Sequence, residues 1–137
     1  MTNVVATPSV GSLIVNKSFP RITRTMLALY AGASGDHNPM HIDIDFAKKA
    51  GFPDVFAQGM LVMAMLGQAL TDVVRPDRLR SFSTRFVAIT QLGAKIRCEG
   101  TVAELLEVDG EKRARLALTA KDEAGDVKLF GEAVVAL

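Results

Sequence analysis

The chain has 137 residues and a formal net charge of +1, with 49% hydrophobic and 23% charged residues. This length predicts one domain that can bury a core without metals or disulfides. The near-neutral charge gives no electrostatic reason to expect nucleic acid as a partner, and no apolar run is long enough to span a bilayer. A single cysteine, Cys98, argues against a disulfide framework. Because no basic region and apolar block open the chain, we expect an intracellular, cytoplasmic protein.

The first third of the chain predicts one strand and one helix. Residues 1–11 are small and polar, and we expect a loosely ordered leader. Residues 12–19 have the β-branched and aromatic content of a strand, which Pro20 ends. Thr23 can cap a helix that ends near Ser34. Its apolar positions, expected to form one stripe, are Met26, Leu27, Leu29 and Tyr30.

Helical segments come next and strands follow. Asp43 or Asp45 is expected to open a short helix that Gly51 and Pro53 stop. Residues 59–70 are apolar on every side, which predicts a helix enclosed by protein. From Leu79 the apolar pattern alternates, and four strands are expected at 79–90, 94–107, 112–122 and 127–137. One strand, then helices, then four strands indicates an α+β protein with an antiparallel sheet.

Both histidines of the chain lie in residues 30–43, which hold the candidate chemistry. Gly35 permits a turn and Pro39 biases Asn38 towards an extended backbone, so this stretch is expected to be a loop. Such a loop can aim Asp36 and His41 into one cleft. His41 is the natural general base because an imidazole titrates near working pH.

Each of these residues also has an ordinary structural use. An Asp in a turn commonly bonds backbone amides, and Asn before Pro is a common turn pair, so Asp36 and Asn38 could serve the loop alone. Asp43 is expected to cap the helix that follows it. We expect His37 to be exposed or to support the others, since the pattern requires no partner for it.

The ordered motif Gly35-Asp36-x-Asn38-Pro39-x-His41-x-Asp43, followed by Ala47 and Gly59-Met60, resembles the signature of the MaoC-like (R)-specific enoyl-CoA hydratases. The resemblance implies a hot dog fold, with a five-stranded antiparallel sheet wrapped around a long central helix and short overhanging helices carrying the catalytic loop. The whole chain, 1–137, would then be one such domain.

That resemblance also implies an activity. In this family the matching Asp and His hold one water molecule, which adds to a trans-2-enoyl thioester to give a (3R)-3-hydroxyacyl thioester. Asp36 and His41 would activate the water, and Asn38 would orient it or the pair. No metal or separate cofactor is implied, because coenzyme A or an acyl carrier protein is part of the substrate. Two related chains commonly pair their sheets edge to edge, so a homodimer or a heterodimer is implied.

Charge that develops on the thioester oxygen needs a stabilising donor. Gly59 lies where the central helix should begin, so its amide would face the substrate at the positive end of the helix dipole. The alternative is that Gly59 only relieves crowding. The family usually has His-Gly here, whereas this chain has Gln58-Gly59. Gln58, Met60 and Arg85 are the residues expected to contact substrate, and the candidates for its phosphates are Arg78, Arg80, Arg85, Lys95 and Arg97.

Two other functions remain open from the sequence. A hot dog thioesterase would hydrolyse the thioester, although the spacing of Asp36, Asn38 and His41 favours the hydratase or its reverse, a 3-hydroxyacyl dehydratase. A non-catalytic subunit of a heteromeric hydratase should have lost Asp36 or His41, and both are present.

Overall fold

The structure, a computed structural model, describes residues 8–137 and contains one five-stranded antiparallel sheet packed on a central helix. The strands lie in the order β1-β3-β4-β5-β2, so β1 and β2 are the edges. The elements are β1 (Leu13–Ser18), α1 (Arg24–Ser34), α2 (Ile44–Lys49), α3 (Gly59–Thr71), β2 (Leu79–Phe86), β3 (Arg97–Val108), β4 (Glu111–Lys121) and β5 (Val127–Ala136), with 3₁₀ turns at Pro39–His41 and Pro76–Arg78. The predicted α+β order and antiparallel sheet are confirmed.

Helix α1 begins and ends as its sequence predicts. The Thr23 hydroxyl accepts a hydrogen bond from the Met26 amide, and Gly35 adopts a left-handed conformation with φ of 77° at the C-terminal end. The predicted apolar stripe was wrong at Leu29, which is 70% exposed. Leu27 and Ala31, four residues apart, form the buried face, and Leu29 lies on the other side of the helix.

Helix α3 contacts β1, β3, β4 and β5, and these contacts form the centre of the core. Its buried residues are Val62, Met65, Leu66, Ala69 and Leu70. The prediction that protein encloses this helix on every side was wrong for the chain described here. Met60, Ala64 and Gln68, each four residues apart, form an exposed stripe.

The second strand is shorter than its alternating pattern suggests. It ends at Phe86, the Val87 amide still donates to Lys128 O in β5, and residues 88–96 leave the sheet before β3 begins. Their backbone groups bond other loops instead: Thr90 O accepts from Ala57 N, and Ile96 O accepts from Phe19 N. Because these partners lie far away in sequence, alternation alone could not place the boundary. The predicted turn at Asp109-Gly110 is confirmed, with φ of 51° and 79°.

The expected leader lies mostly outside the described residues. Residues 1–7 are not described, whereas Pro8 is buried and the Gly11 amide donates to Val102 O at 2.7 Å. Within residues 8–137, no helix has the length and apolar content needed to cross a membrane.

Gly100 lies in β3 where β1 and β4 approach it closely. An added Cβ would lie 2.6 Å from Leu118 Cδ2 and 3.0 Å from Val15 Cβ. Gly100→Ala is therefore expected to lower the free energy of unfolding by about 1–3 kcal/mol, the usual cost of overpacking a core. Urea unfolding monitored by circular dichroism measures this change.

Gly32 provides the matched control for this substitution. It lies on helix α1 with nothing within 4 Å of an added Cβ. Gly32→Ala is expected to raise the free energy of unfolding by about 0.5–1 kcal/mol, because alanine favours the helix. Equal effects of the two substitutions would contradict this account of the packing at Gly100.

Candidate active site

His41 is held in one orientation by the segment that precedes helix α3. Its Nδ1 lies 2.7 Å from the carbonyl oxygen of Phe56, and its ring meets the Phe56 ring edge-on with centroids 5.2 Å apart. A carbonyl oxygen can only accept, so Nδ1 carries the hydrogen. The neutral ring therefore has its lone pair on Nε2. The residue is only 9% exposed, which leaves Nε2 as its reactive atom.

Asp36 follows Gly35, the C-cap of helix α1, and the loop fixes one of its carboxylate oxygens. Oδ1 accepts a hydrogen bond from the Asn38 amide at 3.3 Å, and Ser34 Oγ accepts from the Asp36 amide. The other oxygen, Oδ2, lies 3.8 Å from His41 Nε2. The side chain of Asp36 is 41% exposed. The structure therefore brings together the two residues that the sequence singled out.

The distance between these two groups has a chemical consequence. At 3.8 Å, Oδ2 and Nε2 are too far apart for a direct hydrogen bond. Two acceptors at this separation can each receive one hydrogen from the same water molecule. The arrangement is therefore suited to holding a water between a carboxylate and an imidazole.

Asn38 and Asp43 support the short turn that carries His41. Asn38 Oδ1 accepts from the Met40 amide at the start of the Pro39–His41 turn. Asp43 Oδ1 accepts from the Asp45 and Phe46 amides and caps α2, as expected. The Asn38 carboxamide oxygen is thus used to shape the loop. His37, between Asp36 and Asn38, is exposed.

A largely apolar cavity of about 370 Å³ opens beside His41. Helix α3, the segment before it and the stretch after β2 form its walls. Its lining residues are His41, Phe56, Ala57, Gly59, Val62, Phe86, Val87, Ala88, Ile89, Thr90 and Leu129. Asp36 does not line this cavity, so of the two groups only His41 forms part of its wall. An apolar pocket with few polar groups is typical of a small-molecule site.

Gly59 is the first residue of α3 and lines the cavity. Its N–H has no intrahelical acceptor, because the first four amides of a helix have none. An added Cβ would lie 3.1 Å from Phe86 Cδ1 and Cε1. Both roles considered for Gly59, a donor to the substrate and relief of crowding, therefore keep support. The position offers an amide, and it is also crowded by Phe86.

The structure does not bring the other expected substrate contacts to the cavity wall. The Gln58 side chain is fully buried and its Nε2 donates to Leu27 O at 2.9 Å. Met60 is 52% exposed at the start of α3. Arg85 lies in a separate shallow cleft on the sheet with Phe130 and Glu132.

The basic residues considered for phosphate binding also lie away from the cavity lining. Arg80 makes a two-pronged ion pair with Glu111, and Arg78 donates to Leu137 O. Arg97 donates to Asn16 Oδ1, and Lys95 lies beside it in a third surface cleft. The hydrogen bonds from Arg80 and Arg113 hold the pKa of Glu111 down, at about 2. Arg80 is therefore committed to a structural ion pair.

Thr90 is a lining residue that the sequence did not single out. It is 4% exposed, and among the described residues that line the cavity only Thr90 and His41 have polar side chains. Its carbonyl accepts from the Ala57 amide, which ties the wall to the segment before α3. A single Thr directly after the apolar run Phe86–Ile89 was the available signal, but alternation assigned it to a strand.

Cys98, the single cysteine of the chain, is buried. Burial raises the pKa of the Cys98 thiol to about 12, so the thiolate form that attacks thioesters is scarce at neutral pH. Residues 8–137 contain no group of three or more His, Cys, Asp or Glu side chains arranged to hold a metal ion.

Comparison with known proteins places this site in context. The model of the family described as MaoC like domain matches residues 12–124 of this chain. The (R)-specific enoyl-CoA hydratase of Rhodospirillum rubrum is 31% identical over 116 residues, which is 83% of this chain and 78% of that protein. The 3-hydroxybutyryl-CoA dehydratase of Methylorubrum extorquens is 33% identical over 109 residues, or 77% and 67% of the two chains.

Solved structures agree with this likeness. The unliganded R-hydratase PhaJ1 from Pseudomonas aeruginosa superposes with a TM-score of 0.82 at 30% identity, covering 93% of this chain and 81% of that one. The (R)-hydratase from A. caviae gives 0.81 at 25% identity, covering 97% and 99%. The expected hot dog fold is thereby confirmed.

Several curated relatives are much longer than this chain. It spans 5% of the fatty acid synthase subunit beta of Aspergillus oryzae, with 35% identity over 113 residues and 79% of this chain covered. It spans 23% of the 3-hydroxyacyl-thioester dehydratase X of Mycobacterium tuberculosis, with 42% identity over 66 residues and 48% of this chain covered.

Proposed function

Because this chain belongs to the MaoC like domain family, we propose that it adds water to trans-2-enoyl thioesters to give (3R)-3-hydroxyacyl thioesters, or catalyses the reverse dehydration. The observation that carries this proposal is the 3.8 Å separation of Asp36 Oδ2 and His41 Nε2 beside an apolar cavity. Such a site offers what hydration of a conjugated double bond needs, which is an activated water and a dry place for the acyl chain.

The proposed first step is attack by the water held between the two groups. One hydrogen of the water points at His41 Nε2 and the other at Asp36 Oδ2. Nε2 takes the proton because Nδ1–H is already donated to Phe56 O. The water oxygen bonds to C3 of the enoyl group, the electron pair of the C2–C3 double bond shifts between C1 and C2, and the electron pair of the carbonyl double bond moves onto the thioester oxygen to give the enolate.

The second step returns the proton. The enolate then collapses. Its electron pair forms the C2–H bond with the proton that Asp36 and His41 took from the water. One molecule of water is thus added, with no group left over. Because one pair of side chains handles both the oxygen and the proton, both new bonds form on the same side of the substrate. This course is consistent with a single configuration at C3.

The negative charge on the thioester oxygen requires a donor that is already in place. The Gly59 amide, at the positive end of the α3 dipole, is suited to this role. The lining between Val62 and Leu129 would receive the acyl chain. The coenzyme A or carrier-protein arm would then extend out of the cavity through its open side.

We also propose that a second copy of this chain, or a related one, covers that opening. Phe86, Val87 and Ile89 are exposed apolar residues at the cavity, at the end of the edge strand β2. An edge strand leaves backbone donors and acceptors free for pairing with another chain. A sheet that continues across two chains would cover this apolar surface.

Asp36→Asn and His41→Ala are each expected to slow hydration of crotonyl-CoA by at least about a hundredfold, the usual weight of a general acid–base group. The loss of the conjugated ultraviolet absorbance measures the rate, and chiral analysis of the alcohol identifies the product. His37→Ala is the matched control, because His37 lies in the same loop and is exposed.

The outcomes of this experiment separate the candidate functions. Wild-type rates in both Asp36→Asn and His41→Ala would show that the roles assigned to Asp36 and His41 are wrong. Release of free coenzyme A by the wild-type protein, followed with a thiol reagent, would identify a thioesterase instead. A protein that is inactive alone and becomes active with a related subunit would indicate a heteromeric hydratase.

Gly59→Ala separates the two uses of Gly59. The added methyl meets Phe86 and, in the proposed mode of binding, the thioester, so the rate on crotonyl-CoA is expected to fall at least about tenfold. Phe86→Leu removes the crowding on the protein side. If Gly59→Ala/Phe86→Leu regains the rate of Phe86→Leu alone, Gly59 serves packing only; if the loss persists, the methyl obstructs substrate.

Sedimentation equilibrium is expected to give a mass twice the 14.7 kDa of one chain, because pairing at β2 would bury Phe86 and its neighbours. The measurement is made at several protein concentrations with and without crotonyl-CoA. A monomer that retains full activity at assay concentration would contradict the proposed pairing.

A further inference from the structure

Gln58 is an unusual residue to find at the start of helix α3. It is fully buried, and its Nε2 donates to Leu27 O in helix α1 at 2.9 Å. Its Oε1 is also buried and has no donor among the described residues. A buried acceptor without a donor is costly, and apolar residues of similar size would avoid that cost. Its presence here calls for a reason beyond filling space.

The position of Gln58 directly before helix α3 supplies a reason for a polar residue there. It is the N-cap of α3, where a short polar side chain usually accepts a hydrogen bond from the second or third amide of the helix. Gln58 makes no such bond, because its side chain points inward to α1. The Gln58 side chain therefore bonds helix α1 instead of the start of α3, while its backbone carbonyl accepts from the Leu61 amide.

The hydrogen bond also joins two parts of the site. Helix α1 delivers Asp36 at its C-terminal end, and Gly59 follows Gln58 directly. A second link between the same parts lies at the surface, where Arg24 makes a two-pronged ion pair with Asp54. The Arg24–Asp54 pair is exposed to solvent, whereas the Gln58–Leu27 bond lies in the protein interior and fixes the residue next to Gly59.

We infer that Gln58 is a positioning residue for the reaction. It holds the amide of Gly59 at a fixed place relative to Asp36 and His41. This inference rests on the proposed function, and it replaces the expectation that the Gln58 side chain touches substrate. Gln58 acts on the thioester oxygen only through Gly59.

Gln58→Met tests this role, because methionine has similar length and volume but cannot donate to Leu27 O. We expect kcat on crotonyl-CoA to fall about tenfold, less than the loss of a whole oxyanion donor, with KM changed less than about twofold. The urea midpoint is expected to stay close to that of the wild type, since the substitution removes one hydrogen bond and one unsatisfied acceptor together.

Two further variants make the result interpretable. Gln68→Met is the matched control, since Gln68 lies on the exposed stripe of the same helix, and it should retain wild-type kcat. Gln58→His keeps a side-chain N–H and should recover most of the rate lost in Gln58→Met. A role in folding alone would lower the urea midpoint and leave kcat per folded molecule unchanged.

Each outcome decides one question. If wild type is active, Asp36→Asn is slow and Gln58→Met matches wild type in kcat, the inference is overturned while the proposed function stands. If Gln58→His is as slow as Gln58→Met although both fold, the hydrogen-bond donor is not what matters and the inference is again overturned. If wild type does not hydrate crotonyl-CoA or longer enoyl-CoAs, the proposed function fails and the inference fails with it.

Discussion

The hydrogen bond from His41 Nδ1 to Phe56 O is the interaction on which the rest of the site depends. It decides which nitrogen of the ring carries the hydrogen, and so which nitrogen can accept a proton. Without it the ring could present either nitrogen, or rotate away from Asp36. The acceptor is a backbone carbonyl, so its position depends on the path of the chain before helix α3. The chemistry proposed here is thus tied to a backbone conformation more than to any neighbouring side chain.

The backbone of residues 54–59 is correspondingly well anchored. Asp54 pairs with Arg24, and this hydrogen-bonded ion pair lowers the pKa of the Asp54 carboxyl. The Ala57 amide bonds Thr90 O in the opposite wall, and Gln58 bonds helix α1. These contacts tie the segment to helix α1 and to the stretch after β2, so the segment has little freedom to shift. A site in which Asp36 and His41 must hold one water molecule between them requires such support.

The sequence predicted the parts of this architecture that local physics determines. The Thr23 cap, the left-handed Gly35 and the Asp109-Gly110 turn each follow from a residue and its immediate neighbours. The convergence of Asp36 and His41 was predictable for the same reason, because both lie in one short loop. Local signals could not show where β2 ends or what Thr90 faces. Those features depend on hydrogen bonds between segments about thirty residues apart, such as Ala57 with Thr90.

Gln58 shows most clearly why the remainder was out of reach. A polar residue before an apolar helix is normally a cap or a surface group, and both readings place its side chain towards solvent. The side chain instead turns into the core, because Leu27 O on α1 offers an acceptor there. The exposed stripe of Met60, Ala64 and Gln68 has the complementary explanation, since the sheet contacts only one side of α3. The direction in which a residue at a helix start points is decided by whichever distant element offers a partner, and that information exists only once the chain has folded.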